Sequence, residues 1–330
     1  MRLFAAPGFE PLAAELLEAA GMRAGAFRLG RFANREWHLE VETGVAGEEC
    51  AVLGSSAPPD TQLVQVTLLA HALKRAGAGR VTAVLPYLGY ARQDQAGVEA
   101  SLGMAWVGQL LRGAGVDAVV TVDAHSERDR ELLEMPLASV SPAGMWAATM
   151  RARELAGAAL AAPDQGAVAR CEAVREHLGG TAPIVSFEKR RTRGGVELGE
   201  PSSAPGERVV LVDDILDTGQ TLVLAARALA RHGAREIHIL ATHGIFSGNR
   251  WRELLQPPVR SLTVTDTVAA RRGNEHVPRL PVAPLLRAWV AARHGDSGAG
   301  APTPPVGRLP RRSSKTAKME GQSREGRHAA

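Results

Sequence analysis

The chain has 330 residues, of which 45% are hydrophobic and 22% charged, with a formal net charge of +4. That length favours two domains, and the composition excludes a wholly disordered, collagen-like or coiled-coil chain. Cys50 and Cys171 are the only cysteines, too few for a disulfide framework and at no zinc spacing, which predicts a reducing compartment without structural zinc. No apolar run approaches the about 18 residues of a membrane span, and MRLFAAPGFEPLAAELLEAAG carries acids where a secretory segment is apolar. The expectation is a cytoplasmic protein with no membrane partner.

In chain order, strands are predicted at Arg2–Ala5 and Ala51–Gly54. Asp60 is placed as the N-cap of a helix over Thr61–Arg75, whose Leu63, Val66, Leu69, Ala70 and Leu73 form one apolar stripe. A small pattern then recurs in ALKRAGAGRVTAVLPY (from Ala72), LLRGAGVDAVVTVDAH (from Leu110) and ALARHGAREIHILATH (from Ala228). Each reads as a helix, a Gly-containing turn and a buried strand that runs into polar residues: Tyr87, Asp123 with His125, and Thr242 with His243. Further strands are predicted at Pro183–Phe187, Val209–Val212 and Leu262–Thr265, and a last helix at Pro284–Arg293, possible partner of the first half. Strands alternating with helices make this an α/β chain with mostly parallel sheets, in which ligands sit at the carboxyl ends of strands.

The division is placed at residues 1–145 and 146–295, followed by a basic tail over 296–330. From Asp296 onward there are seven Lys/Arg against three Asp/Glu, a surplus equal to the whole formal charge, so the body is neutral. The tail is rich in Gly, Pro and Ser and is expected to be disordered. With two Tyr and six Phe in the chain, base-stacking platforms are not expected, and no specific nucleic-acid partner is assigned. Trp37, Trp106, Trp146, Trp251 and Trp289 show no stacking pattern and are read as core or interface residues.

The segment that carries the most chemistry is VVLVDDILDTGQTLVLAARAL. A buried strand delivers Asp213 and Asp214, a short loop follows, and a helix begins near Thr221. Backbone N–H groups of Thr218, Gly219, Gln220 and Thr221 at a helix N-terminus can wrap a phosphate, and paired carboxylates can accept from vicinal hydroxyls or hold a metal. No Gly-Lys-Ser/Thr ends the loop, so it is not a Walker A loop. Three acids within five positions exceed what helix capping needs.

This segment resembles the phosphoribosyl diphosphate binding motif of type I phosphoribosyltransferases and of ribose-phosphate diphosphokinases (PRPP synthases). VTAVLPYLGYARQDQ (Val81–Gln95), FANRE (Phe32–Glu36) and ATHGIFSGN (Ala241–Asn249) resemble the synthases' own motifs, in the family's order, and the likeness runs from Met1 to Arg293. The resemblance implies two phosphoribosyltransferase-like α/β domains, each a mostly parallel sheet flanked by helices, in a homo-oligomer of dimers that reaches a hexamer in the family. It implies transfer of the diphosphoryl group of magnesium-ATP to the anomeric hydroxyl of ribose 5-phosphate, giving PRPP and AMP. ATP is then expected at Asn34, Arg35 and Glu36, supplied by a neighbouring subunit, and at Arg92 and Gln93. Mg2+ is expected near His125 and Asp164, and ribose 5-phosphate at Asp213, Asp214, Asp217, Thr218, Gly219, Gln220 and Thr221.

Lys189 and Arg191 match the family's mobile catalytic loop. They follow a strand predicted to end at Phe187 and precede Gly194-Gly195, which suits a basic flap closing over phosphates. His125 at a strand end can ligate magnesium or order its water shell, Asp164 alone reads as an N-cap, and Arg92 can grip triphosphate oxygens as a fork. The chain departs from the family at Gln95, Gln220 and Arg35, and AGVEASLGMAW is shorter than the regulatory stretch of the ADP-inhibited class, which argues against ADP regulation of that kind. The alternatives are a non-catalytic regulatory homologue that binds phosphorylated ligands, or a phosphoribosyltransferase that uses no ATP. Retention of Lys189, Arg191, His125, Asp164, Asp213 and Asp214 favours activity.

Overall fold

A computed structural model of the chain describes residues 1–18, 22–92, 102–126, 128–192 and 195–295, with the side chains of 190–196 and 293–295 outside the description. Gln93, Gln95 and the tail from Asp296 lie outside the described residues.

The first half opens with β1 (Arg2–Ala5), α1 (Glu10–Leu17), β2 (Arg23–Ala24), β3 (Phe27–Arg31), β4 (Trp37–Val41) and β5 (Glu49–Leu53). It continues through α2 (Thr61–Arg75), β6 (Arg80–Val84), α3 (Gly103–Gly113), β7 (Ala118–Val122), α4 (Arg128–Leu133) and β8 (Leu137–Val140). Its sheet has the order β2-β1-β5-β6-β7-β8 and every pair in it is parallel. β7, AVVTV, is buried at all five positions, as expected of a parallel strand covered on both faces. β3 and β4 stand apart as an antiparallel hairpin.

The second half runs α5 (Ala143–Ala152), β9 (Ala159–Ala162), α6 (Val168–His177), β10 (Ile184–Thr192), β11 (Gly195–Pro201) and β12 (Arg208–Leu216). Then come α7 (Gln220–Arg231), β13 (Glu236–Gly244), β14 (Val259–Thr265), β15 (Arg279–Leu280) and α8 (Ala283–Gly295). The order β11-β10-β9-β12-β13-β14-β15 is parallel except for the β10–β11 hairpin. α5 packs with the second half through Trp146, Ala147 and Met150, beside Leu160, Val174 and Val212. α8 instead lies on the first half, where Val282, Ala283, Leu286 and Val290 join Leu3, Leu12, Leu16, Leu53 and Val120.

The recurring helix, turn and strand pattern is present three times, with Gly77, Gly115 and Gly233 at φ +89°, +90° and +100° ahead of β6, β7 and β13. Those left-handed values are strained for any residue with a Cβ. Two expectations are corrected. The strand predicted to stop at Phe187 continues to Thr192, because β11 supplies an antiparallel partner after a register shift between Phe187 and Lys189; the basic segment is a hairpin arm and not an irregular loop. Asp60 occupies the N-cap position of α2, but its side chain caps nothing there; its Oδ1 accepts from the Tyr90 hydroxyl at 2.5 Å. Of the tryptophans, Trp146 and Trp251 are fully buried, whereas Trp106 is exposed and meets Tyr90 edge-on. Cys50 and Cys171 are free, buried thiols, and no described helix is long and apolar enough to cross a membrane.

Candidate active site

The carboxyl ends of β7, β12 and β13 meet at the seam between the two sheets. β7 is followed by Asp123, which takes φ +48°, a left-handed conformation that costs a non-glycine residue about 1–2 kcal/mol. Its carboxylate is gripped from the other half of the chain: Oδ1 accepts from Arg170 Nε at 2.9 Å, and Oδ2 accepts from Thr242 Oγ1 at 2.5 Å. Its carbonyl accepts from His243 Nε2 at 3.3 Å. A carbonyl only accepts, so this bond places the His243 proton on Nε2, and Nδ1 accepts from Thr267 Oγ1 at 2.9 Å. Burial lowers the His243 pKa and keeps the ring neutral. The Tyr87 ring lies 4.8 Å from that of His243, and burial pushes the Tyr87 hydroxyl up to about 12.

Beyond the Asp123 corner, His125 Nδ1 lies 2.5 Å from Asp214 Oδ2. Asp213 and Asp214 are consecutive residues of β12, and the Asp214 backbone N–H donates to Asp213 Oδ1 at 3.0 Å. Their electrostatics nonetheless divide. Burial raises the Asp213 carboxyl well above the usual carboxylate range, reinforced by Asp214 and Asp164. Burial acts on Asp214 in the same direction, but the hydrogen bond from His125 and the charge of Arg170 outweigh it and hold Asp214 below the usual range. His125 is correspondingly raised by its bond to Asp214, against the opposing effect of burial.

The loop that follows β12 turns at Gly219, the N-cap of α7, with φ +81°. A Cβ there would come within 2.7 Å of the Trp251 Cα, so both conformation and space demand glycine. Gln220 starts α7, and its N–H lies 3.4 Å from Thr218 Oγ1. Thr218 is exposed and Thr221 half-buried. Asp217 Oδ2 accepts from Arg92 Nη1 at 2.5 Å, tying the loop to the first half, while its buried Oδ1 has no described partner.

On the third side, Asp164 follows β9. Its Oδ1 accepts from the Ala167 backbone N–H at 3.2 Å and its Oδ2 from Lys189 Nζ at 2.9 Å. Asp164 is therefore a cap and also an ion-pair partner. Arg191 is described by its backbone alone, which pairs with Val196. Asn34, Arg35 and Glu36 stand at the exposed tip of the β3–β4 hairpin, Arg35 at φ +72°. The hydrogen bonds described for them close within the hairpin, as in Glu36 N–H to Asn34 Oδ1 at 3.1 Å. Among the described residues the seam thus gathers Arg92, His125, Asp164, Lys189, Asp213, Asp214 and Asp217, and the hairpin residues are held elsewhere. Arg170 also belongs to the seam and was not singled out from the sequence, where it is one arginine on a polar helix.

The first 115 residues match the family model for the N-terminal domain of ribose phosphate pyrophosphokinase. Residues 151–271 match the phosphoribosyl transferase domain. A ribose-phosphate pyrophosphokinase of Vibrio cholerae is 33% identical, over 81% of this chain and 87% of its own. That of Bacillus caldolyticus is 30% identical, over 87% and 92%. Among solved structures, phosphoribosylpyrophosphate synthetase from Mycobacterium smegmatis superposes with a TM-score of 0.79 at 28% identity, covering 90% of this chain and 99% of its own. Both sheets accordingly belong to units of phosphoribosyltransferase type.

Proposed function

Because this chain belongs to the ribose-phosphate pyrophosphokinase family, we propose that it moves the diphosphoryl group of magnesium-ATP to the anomeric hydroxyl of ribose 5-phosphate, giving PRPP and AMP. The observation that carries this reading is the convergence on one seam of the Gly219-capped phosphate loop, the Asp213–Asp214 pair and Lys189. The two units are taken to divide near residues 145 and 146, at the start of α5, with α8 lodged on the first.

Among the described residues no three His, Cys, Asp or Glu side chains cluster to cage a metal ion. Magnesium is commonly held by one or two carboxylates together with substrate phosphates and water, and Asp164 and Asp214, the latter bonded to His125, offer carboxylates of that kind. They fit magnesium arriving with its nucleotide, where it would neutralise charge on phosphoryl oxygens.

The chain's own residues supply positioning and charge. Amides from Thr218 to Thr221 at the start of α7 receive the 5-phosphate, aided by the helix dipole. Asp214, held ionised, accepts from a ribose hydroxyl, with Asp213 beside it. The anomeric oxygen attacks the β-phosphorus of ATP, the bond from that phosphorus to the α,β-bridging oxygen breaks, AMP leaves, and the hydroxyl proton is released to solvent. Lys189 and Arg191 stabilise the charge that builds during transfer, and Arg92 and Gln93 hold the nucleotide. Asn34, Arg35 and Glu36 act on the nucleotide of a neighbouring subunit, which makes the active form a homo-oligomer.

The test is incubation of the purified protein with ATP, magnesium and ribose 5-phosphate, following AMP and PRPP together. Equal release of both supports the reading. Consumption of PRPP with a nucleobase and no use of ATP would assign a phosphoribosyltransferase, and substrate binding without turnover would assign a regulatory homologue.

A further inference from the structure

Arg170 lies on α6, in the second half, yet most of its hydrogen bonds leave that helix. Nε donates to Asp123 Oδ1 at 2.9 Å. Nη2 lies 3.0 Å from the Ala124 carbonyl, 3.1 Å from the His125 carbonyl and 3.3 Å from Asp214 Oδ2. Nη1 donates to the Gly166 carbonyl at 3.2 Å, one helical turn back and two residues after Asp164. The side chain is 16% exposed. One planar group therefore touches three segments, each of which carries a residue assigned above to substrate or metal: Asp164–Gly166, Asp123–His125 and Asp214.

The Asp123 corner is the strained element among them, since a non-glycine residue there holds φ +48°. Such a conformation persists only where the surroundings over-determine it. Arg170 and Thr242 hold the Asp123 carboxylate, Arg170 also holds the next two carbonyls, and His125 leaves this corner to meet Asp214. A buried guanidinium among carboxylates gains little net stability over well-packed apolar residues. Its fork does fix directions in a way that a flexible point charge cannot.

We propose that Arg170 is a positioning residue for the reaction: it clamps the Asp123–His125 corner of the first half against Asp214 of the second, and so sets the orientation of His125 toward the bound substrates. It does not itself touch the reacting atoms. The catalytic consequence rests on the function proposed above, whereas the orientation of His125 can be read without substrates.

The test compares Arg170→Ala, Arg170→Lys and Arg170→Gln with the parent protein. Steady-state kinetics are combined with thermal midpoints and with side-chain NMR of histidine-labelled, unliganded protein. The expected result for Arg170→Ala is a fall of about 10²-fold in kcat, the scale of a misplacement near 1 Å. KM values should stay within about threefold, and the downfield His125 Nδ1 proton should be lost while the His243 signals remain. Added guanidinium ion should restore part of the kcat of Arg170→Ala, and Arg170→Lys should stay impaired. Should Arg170→Ala fail to fold, Arg170→Gln, which is shorter but keeps a planar polar group with two N–H donors, carries the same two readouts. An unchanged kcat, or a lowered kcat with the His125 signal intact, overturns the proposal. So does a loss confined to the thermal midpoint. If the parent protein makes no PRPP, the functional reading fails, and the His125 resonance alone decides whether Arg170 positions that ring.

Discussion

Lys189 Nζ and Asp164 Oδ2 are 2.9 Å apart, so the cation assigned to transfer rests on the same carboxyl group that caps the turn before α6. To reach a phosphoryl oxygen, Lys189 must exchange that partner, and the interaction it gains belongs to the reacting complex. Lys189→Ala should therefore lower kcat by about 10²–10³-fold, the usual loss for one preorganised electrostatic donor. The KM for ribose 5-phosphate should change much less. Initial-rate kinetics check this, and an unchanged kcat removes the role.

Asp214→Asn should raise the KM for ribose 5-phosphate, because hydroxyl donors prefer an ionised acceptor, and Asp213→Asn should raise it less. Their effects on stability should differ. Asp213 is already pushed toward its neutral form by burial, so an amide is a mild change. Asp214 accepts from His125 and lies 3.3 Å from Arg170 Nη2, and neutralising it leaves a buried guanidinium short of charge, at a cost of about 3 kcal/mol. Urea titrations of the two variants, set beside their kinetics, separate the two effects. Unchanged sugar-phosphate affinity in both would leave these acids as structural groups.

His243 supplies a pH dependence with a definite sign. Its pKa is lowered in the folded chain because the neutral ring is buried. The unfolded chain, with a histidine near 6.5, then takes up a proton at higher pH than the folded one. The stability contributed by His243 is complete above about pH 6.5 and is lost as pH falls through the folded pKa, with a limiting slope of about 1.4 kcal/mol per pH unit. His243→Asn should flatten the fall in urea midpoint between pH 7.5 and 5. Equal slopes for the parent protein and His243→Asn would contradict a buried neutral ring.

Shortening the chain to His294 should preserve folding and activity, since what is removed carries the whole formal charge and few large apolar residues. Shortening it to Leu280 should not. That deletion strips Val282, Ala283, Leu286 and Val290 from Leu3, Leu12 and Leu16, and at about 1.5–3 kcal/mol per buried side chain the loss is comparable with the whole stability of a domain. Sedimentation and PRPP assays of both shortened chains decide. Retained activity after removal to Leu280 would make α8 dispensable.

What could be read from the amino-acid order was what depends on local pattern. Continuous Val-rich runs announced β7 and β12 because a parallel strand buried on both faces needs no polar alternation, and Gly77, Gly115 and Gly233 marked the turns because only glycine enters them cheaply. The Asp213–Thr221 segment was legible as a phosphate loop for the same local reason. The β10–β11 hairpin was not, because Glu188–Thr192 is almost entirely charged and becomes a strand only through a partner supplied later in the chain. Asp60 could not be seen to prefer the Tyr90 hydroxyl, thirty residues on, over its own helix. Arg170 was invisible because the groups it joins lie 44–47 residues away on either side.

The placement of α8 has a consequence for how the chain comes into being. During synthesis the first sheet leaves the ribosome long before residues 283–295 exist, and until they do, the apolar face formed by Leu3, Leu12, Leu16, Leu53 and Val120 lacks its cover. Domains generally fold as they emerge, but here the half made first is completed last. The second half can close around α7 and β12 to β14 while the first waits with one face open, so the nascent chain carries an uncovered apolar face in the interval between the appearance of β8 and that of α8.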